Sequence, residues 1–526
     1  MSRRTVVIPI KKSRGAGTNA VAAQGVYGNT TAARFLRDLM AGTDSLDVVV
    51  LGDSNAGHPG SAGYSAGWHR VMEFGLGVQP YATCMMNGGA YLATQPTTGN
   101  NRADGLFGLG TGQAWPGHND AVRVAGSTGG PQSLLQTSDP ALVDLRDDLG
   151  YNFTNYTNEG TTMVLKPQGW QWDPVGVGVD VTYSSQAHTN YMTVTAGYNQ
   201  YYNSWGSSLV FGTSGTGGNT LQYRVVFPRW GDYSDGSFRL KCSWLPSVTQ
   251  VALGPVISTN SSKGGLEYAT ETLEVNGSAI NDFESSGKKR LAFSWDGFGN
   301  ISHAAFGPVA ILWQSVIRPN TKGYAVSCLT YHGGLTTDQL ASRIEASGKC
   351  LDTYLKELRT RQIAGGGSGR VLVFVNSGVN DWAAYTDWTT NMQRIKTHFS
   401  SRWQAMGGNP TQLCFMLTPS HPTTSVISPN PWPANRAAVV SSANTWATAN
   451  AGDGMNACVV DMGAGYSAVK MEKYLMYANV SSDVAHLSPE NYPSTSGATR
   501  VAVSSDLFNV YTMVTQSMVS RLLASV

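Results

Sequence analysis

Ser54, Asp483 and His486 have the residue types and the local spacing that nucleophilic ester chemistry needs. Ser54 closes the string Gly52-Asp53-Ser54, directly after the unbroken apolar run Val48-Val49-Val50-Leu51. Asp483 and His486 stand three residues apart in Asp483-Val484-Ala485-His486, close to the C-terminus. A serine hydroxyl is a poor nucleophile until a base takes its proton, and that base needs a carboxylate to fix its tautomer and stabilise the imidazolium. One turn of chain between Asp483 and His486 lets the carboxylate accept from Nδ1. Nε2 is then left to face Ser54 as general base and later as general acid.

These residues need a scaffold, and the hydrophobic pattern outlines one. Residues 31–40 read as a short helix and 47–51 as a strand buried on both faces, which suits a parallel sheet. A helix is expected around 66–74. From 319 strand and helix alternate: strands at 324–330, 371–376, 413–417 and 458–461, helices at 337–361, 387–406, 434–448 and 506–524. With 31–84 in front, this pattern predicts an α/β fold, a doubly wound parallel five-stranded sheet in three layers. Between 85 and 318 the character changes to short strands, as at 179–183, 190–198, 221–227 and 291–295, separated by Gly/Ser/Asn turns. That pattern predicts a β-sandwich or jelly-roll domain inserted into the sheet-forming chain. The expected organisation is thus an N-terminal arm at 1–30, a first α/β part at 31–84, the β-rich insert at 85–318 and the second α/β part at 319–526.

Two further strings fall where ligands bind in such folds, at the carboxyl ends of strands. One is His332-Gly333-Gly334-Leu335-Thr336-Thr337 after the strand at 324–330, and the other is Gly378-Val379-Asn380-Asp381 after the strand at 371–376. Taken in order, Gly52-Asp53-Ser54, Gly334, Gly378-Val379-Asn380-Asp381 and Asp483 to His486 resemble the four blocks of the SGNH (GDSL-type) hydrolase family. The resemblance covers 31–84 and 319–526 but not the insert. Each block alone is an ordinary turn string; the order of all four carries the signal. The resemblance implies a serine esterase whose oxyanion hole is built from the backbone N–H groups of Ser54 and Gly334 and the side-chain amide of Asn380. A glycine at 334 lets the backbone approach substrate without a Cβ in the way. The 280 positions between Ser54 and Gly334 depart most from the family pattern and bear on substrate, not on chemistry.

Other strings compete for these roles. Gly63-Tyr64-Ser65-Ala66-Gly67 fits G-x-S-x-G, but that motif needs a strand immediately before it. Here Gly57-His58-Pro59-Gly60 precedes, which is no central strand, and a helix entry is expected instead. Asn87-Gly88-Gly89 lies nearer Ser54 than Gly334 does, but it runs into turn-rich sequence rather than a helix. Asp53 and Asp381 read as hydrogen-bonding groups beside the site rather than as the triad acid. His58, His69 and His332 have no placed carboxylate partner and read as structural or substrate-lining.

Eight of the 14 tryptophans fall in the insert. Trp170 and Trp172 are candidate sugar-stacking, substrate-binding residues, with Trp205 and Trp230 beside them; the other reading is that they fill a sandwich core. With a lid-like apolar segment lacking, the aromatic insert favours an O-acetyl group on a polysaccharide as substrate over a lipid or a thioester. A third reading comes from low charge, many small polar residues and the N-terminal arm. It makes the chain a phage virion (tail or baseplate) protein whose hydrolase domain acts in host-surface binding, as a homo-oligomer or within a virion assembly.

Composition narrows the classes. A net charge of +2 with 13% charged residues gives no reason to expect nucleic acid as a partner. No apolar run reaches the length of a membrane span. Val6 to Ile10 is too short for a signal-peptide core, so cytoplasmic synthesis is expected, with extracellular action by lysis or on a particle. The six cysteines form no CxxC pair and no Cys/His zinc spacing, so free buried thiols, no metal and no cofactor are expected.

Overall fold

The computed structural model describes residues 25–52, 56, 64, 67–68, 71–78, 80–86, 135–136, 162–163, 180–183, 191–195, 221–230, 237–245, 250–258, 266–275, 290–297, 313–317, 319–330, 336–346, 349–378, 381, 387–419, 432–449, 456–462 and 510–526. The described residues begin with strand β1 (Val26–Gly28), helix α1 (Thr31–Met40) and strand β2 (Leu46–Gly52). A long run of strands follows: β3 (Ala82–Met86), β4 (Leu135–Gln136), β5 (Thr162–Met163), β6 (Asp180–Tyr183), β7 (Tyr191–Thr195), β8 (Leu221–Trp230), β9 (Ser237–Leu245), β10 (Gln250–Ser258), β11 (Leu266–Val275), β12 (Arg290–Gly297) and β13 (Trp313–Ile317). Strand and helix then alternate through β14 (Tyr324–Thr330), α2 (Thr337–Ala346), α3 (Lys349–Ala364), β15 (Val371–Ser377), α4 (Trp388–Ala405), β16 (Leu413–Pro419), α5 (Trp432–Ala449), β17 (Ala457–Val460) and α6 (Val510–Ala524).

The central sheet has the order β1-β17-β16-β15-β2-β14. Its last five strands are parallel to one another, and β1 runs antiparallel along β17. The period-2 geometry of a strand sends alternate side chains to opposite faces. Val48, Val50, Leu372, Phe374, Cys414 and Met416 accordingly pack with Phe35 and Leu36 of α1 and Tyr511 and Met518 of α6. Val49, Leu51, Val373, Val375, Phe415 and Leu417 pack on the other face with α2, α3, α4 and α5. Both faces are covered, which is why these strands are apolar without alternation. Helix α4 shows the matching helical stripe, with Trp388, Met392, Ile395, Phe399 and Trp403 buried at steps of three and four.

The expectations for this region differ from the structure in three places. The sheet has six strands rather than five, because Val26–Gly28, within the expected arm, forms the reversed edge strand. The single helix expected over 337–361 is two helices, α2 and α3, which flank Ser347-Gly348. Strand β3 straddles the expected boundary at 84/85 and pairs with β13.

The strands between β2 and β14 form three antiparallel sheets: β11-β8-β13-β3, β10-β9-β12-β7-β6 and β4-β5. The first of these is not apart from the α/β core. Val226 of β8 and Ile317 of β13 belong to the same buried cluster as Leu351, Leu355 and Leu358 of α3. Helix α3 also links the two sheets by charge. Arg224 of β8 donates from Nε and Nη2 to the two oxygens of Glu357, at 2.6 and 2.7 Å. One helical turn on, Arg361 pairs with Asp47 of β2 at 3.1 Å, and the Tyr81 hydroxyl donates to the same carboxylate at 2.7 Å. Asp47 is wholly buried, and burial pushes its carboxyl above the usual carboxylate range against the pull of Arg361 and Tyr81.

Candidate active site

Strand order locates where a site can form. Numbered by appearance, the five parallel strands run 2-1-3-4-5, so the chain reverses its winding between β2 and β15. Helices leave the sheet to opposite faces there, opening a crevice beyond the carboxyl ends of those two strands. Gly52 is the last residue of β2 and Ser377 the last of β15, and Gly52 registers with Asn376.

The described residues at this crevice are held tightly. A Cβ on Gly52 would lie 1.9 Å from the Asn376 carbonyl oxygen, so only glycine allows the two strands to end in register. The Asn376 side-chain amide donates to the Thr418 carbonyl of the next strand at 3.2 Å. Gly378 has φ +115°, a backbone conformation that side-chain-bearing residues rarely adopt. Trp388, the first residue of α4, donates its indole N–H to the Ser377 carbonyl at 3.1 Å.

Asp381 is buried and accepts three hydrogen bonds from one residue, Thr337 at the start of α2. The Thr337 backbone N–H lies 3.0 and 3.1 Å from the two carboxylate oxygens, and its hydroxyl 2.9 Å from Oδ1. Burial pushes the Asp381 carboxyl above its ordinary value, and the Thr337 hydrogen bonds pull it part of the way back. A negative group at a helix N-terminus is also favoured by the aligned peptide dipoles. Helix α2 has a local cap as well. The Thr336 hydroxyl accepts from the Gln339 N–H at 3.3 Å, and the Gln339 carbonyl oxygen accepts from the Thr336 N–H at 3.0 Å, a reciprocal capping box.

Ser54, Asp483 and His486, the oxyanion candidates Gly334 and Asn380, and the aromatic candidates Trp170 and Trp172 lie outside the described residues. Asp53, Ser65, His58, His69, His332 and Trp205 do so too. The described parts of the strings that carry them are Gly52, Thr336-Thr337, Gly378 and Asp381. Of the competing G-x-S-x-G string, Tyr64 and Gly67 are helical, and the Tyr64 ring packs edge-on against Phe374 and Tyr511. Thr337 closes a quoted string and begins the expected helix, but its hold on Asp381, like the roles of Asn376 and Trp388, had no signal in the sequence.

Among the described residues no group of three or more His, Cys, Asp or Glu is arranged to hold a metal ion. No described helix is long and apolar enough to cross a membrane. Cys414 and Cys458 are free and buried, and burial pushes the Cys458 thiol up to about 12.

Six strands in this order with helices on both faces make the chain a doubly wound α/β protein. No protein-family model matches the chain, and no curated protein matches it. Among solved structures it is similar to a peptidoglycan O-acetylesterase, at 12% identity over 88% of this chain and 92% of that one, with a TM-score of 0.39. It is also similar to a family two carbohydrate esterase from Clostridium thermocellum in complex with cellohexaose, at 8% identity over 46% and 80% of the two chains, with a TM-score of 0.18. A carbohydrate esterase family 2 enzyme with a carbohydrate-binding domain from Corynascus thermopiles follows at 14% identity, over 46% and 83%, with a TM-score of 0.17. These likenesses are low, and the class of the fold rests on the strand order.

Proposed function

We propose that the chain is a serine ester hydrolase of the SGNH type that removes O-acetyl groups from a polysaccharide. The observation that carries this reading is the meeting of β2 and β15 at the crevice. The string Gly52-Asp53-Ser54 continues from one strand and Gly378-Val379-Asn380-Asp381 from the other. Asp381 adds support, because its hydrogen bonds to Thr337 tie the second string to the helix that follows Gly333-Gly334.

In this reading Ser54 Oγ attacks the acetyl carbonyl carbon while His486 Nε2 takes its proton and Asp483 accepts from Nδ1. The N–H groups of Ser54 and Gly334 and the amide of Asn380 donate to the oxyanion that forms. His486 returns the proton to the departing sugar oxygen, leaving an acetyl-serine. Water, deprotonated by His486, then releases acetate and restores the serine. The β-rich segment 85–318 selects the glycan, with Trp170 and Trp172 stacking on sugar rings.

The test is hydrolysis of p-nitrophenyl acetate against longer acyl esters, with wild type beside Ser54→Ala. Activity that falls with chain length and disappears in the variant supports the reading. A preference for long chains moves a lipid substrate ahead. Undiminished activity in Ser54→Ala removes Ser54 as nucleophile and the reading with it.

A further inference from the structure

The Gly-x-Asn-Asp string is clamped at both ends by residues that bear none of the proposed chemistry. At its start, the Trp388 indole holds the Ser377 carbonyl at 3.1 Å. At its end, Thr337 gives Asp381 every hydrogen bond described above. The Thr337 hydroxyl is itself oriented: it accepts from the Asn391 amide at 3.0 Å, and the Asn391 carbonyl oxygen accepts from Arg394 at 3.1 Å. Arg394 is anchored by Asp338 and Glu345 of α2, at 2.6 and 2.5 Å. A continuous hydrogen-bonded chain therefore runs from a surface ion-pair cluster through α4 and α2 to Asp381.

A simple helix cap does not account for this. The reciprocal Thr336–Gln339 box serves the N–H groups of Thr336 and Gln339, and Asp381 serves that of Thr337 between them, but a cap alone needs neither the Thr337 hydroxyl bond nor the Asn391–Arg394 chain behind it. Burying a further carboxylate there is costly unless hydrogen bonds compensate, and Asp381 comes from 44 positions away. What the arrangement does uniquely is fix the distance between two backbone segments. Asn380 is the residue before Asp381, and Gly334 is three residues before Thr337. On the reading above, those are two of the three oxyanion donors, and their separation decides whether both reach one oxygen.

We propose that Asp381 and Thr337 form a positioning pair that sets the separation of the Gly334 and Asn380 donors. Neither touches substrate. The inference rests on the serine-esterase reading, and its experiment separates the two. The initial rates of p-nitrophenyl acetate hydrolysis and the melting temperatures are measured for wild type, Ser54→Ala, Asn380→Ala, Asp381→Asn, Thr337→Val, Thr337→Ser and the double variant Asn380→Ala/Asp381→Asn.

Misplacing catalytic groups by an ångström can cost about 10²-fold, so kcat is expected to fall about 10- to 100-fold in Asp381→Asn, with KM little changed. Thr337→Val loses kcat in the same sense, and Thr337→Ser, which keeps the hydroxyl, restores it to within about twofold of wild type. In the Asn380→Ala background the Asp381→Asn loss shrinks, because the donor it positions is gone; a role in stability alone would leave the two losses additive. Full activity in Ser54→Ala or in Asn380→Ala overturns the esterase reading and this inference together. If both controls lose activity but Asp381→Asn and Thr337→Val keep wild-type kcat, or the double variant shows additive losses, the positioning role alone is overturned. Thr337→Val decides the matter if Asp381→Asn does not fold.

Discussion

Gly52 meets the main chain of Asn376 so closely that a methyl group there would overlap the carbonyl oxygen at 1.9 Å and press on Ala56 at 2.8 Å. Neither neighbour is the far end of a side chain, so neither can swing away. Overpacking of this kind costs about 1–3 kcal/mol even where side chains can adjust. Gly52→Ala is therefore expected to lose about 3 kcal/mol in urea denaturation and to lose ester activity with it. An unchanged unfolding midpoint would mean that β2 and β15 part freely at their ends.

The buried pair of Asp47 and Arg361 gives a second expectation. Removing one partner of a buried ion pair strands the other and costs about 3–5 kcal/mol. Arg361→Met should show a loss of that size. Asp47→Asn added to Arg361→Met should recover part of it, since an amide still accepts from Tyr81 and carries no charge. A double variant less stable than Arg361→Met would show that the Asp47 charge is compensated from elsewhere.

Excision of 85–318 behind a short linker tests how deeply the β-rich segment enters the core. It removes Val226 and Ile317 from the cluster around α3, and Arg224 from Glu357. The expected product is insoluble or lacks a cooperative melt. Arg224→Ala in the full chain is the milder version and should cost about 1.5–3 kcal/mol, the usual value of a hydrogen bond to a charged group. A soluble, cooperatively folding excision product would restore 85–318 as a separable module.

The raised Asp381 carboxyl fixes the sign of a pH effect. Its folded-state pKa lies above the unfolded 3.8, so the folded chain holds this proton more tightly than the unfolded chain does. Its contribution to stability is full below the unfolded value and is lost as pH rises through the folded one. The stability of wild type minus that of Asp381→Asn should then fall as pH rises from about 3.5 toward neutrality, read from urea midpoints. A difference that grows over that window would place the folded pKa below 3.8.

The sequence made the parallel strands legible because both of their faces are buried. Leu46–Gly52, Val371–Ser377 and Leu413–Pro419 are nearly unbroken apolar runs for that reason. Val26–Gly28 carried no such signal, since three residues cannot display an alternation. The charged core was equally hidden. Glu357 and Arg361 look like surface residues, and Asp47 begins an expected buried strand with no partner in view, until tertiary pairing brings them together; Lys396 is buried with its Nζ 5.4 Å from the Trp446 ring. At the site, Gly52, Gly378 and Asp381 were legible as ends of strings. The pairing of Thr337 with Asp381 was not, because nothing in a run of residues reports a partner 44 positions away.

Strand β2 lies between β14 and β15, yet the chain makes it long before either. The Gly323 N–H that bonds Ser45 at the foot of β2 comes 278 positions later. At ribosomal speeds of roughly 5–20 residues per second, that interval lasts on the order of tens of seconds. Through all of it a seven-residue strand, wholly buried in the finished sheet, has neither neighbour to pair with. Such an unpaired apolar edge is the kind of surface that nascent chains stick together by, and that chaperones hold. Whatever keeps β2 from pairing elsewhere has to act until both β14 and β15 have been made.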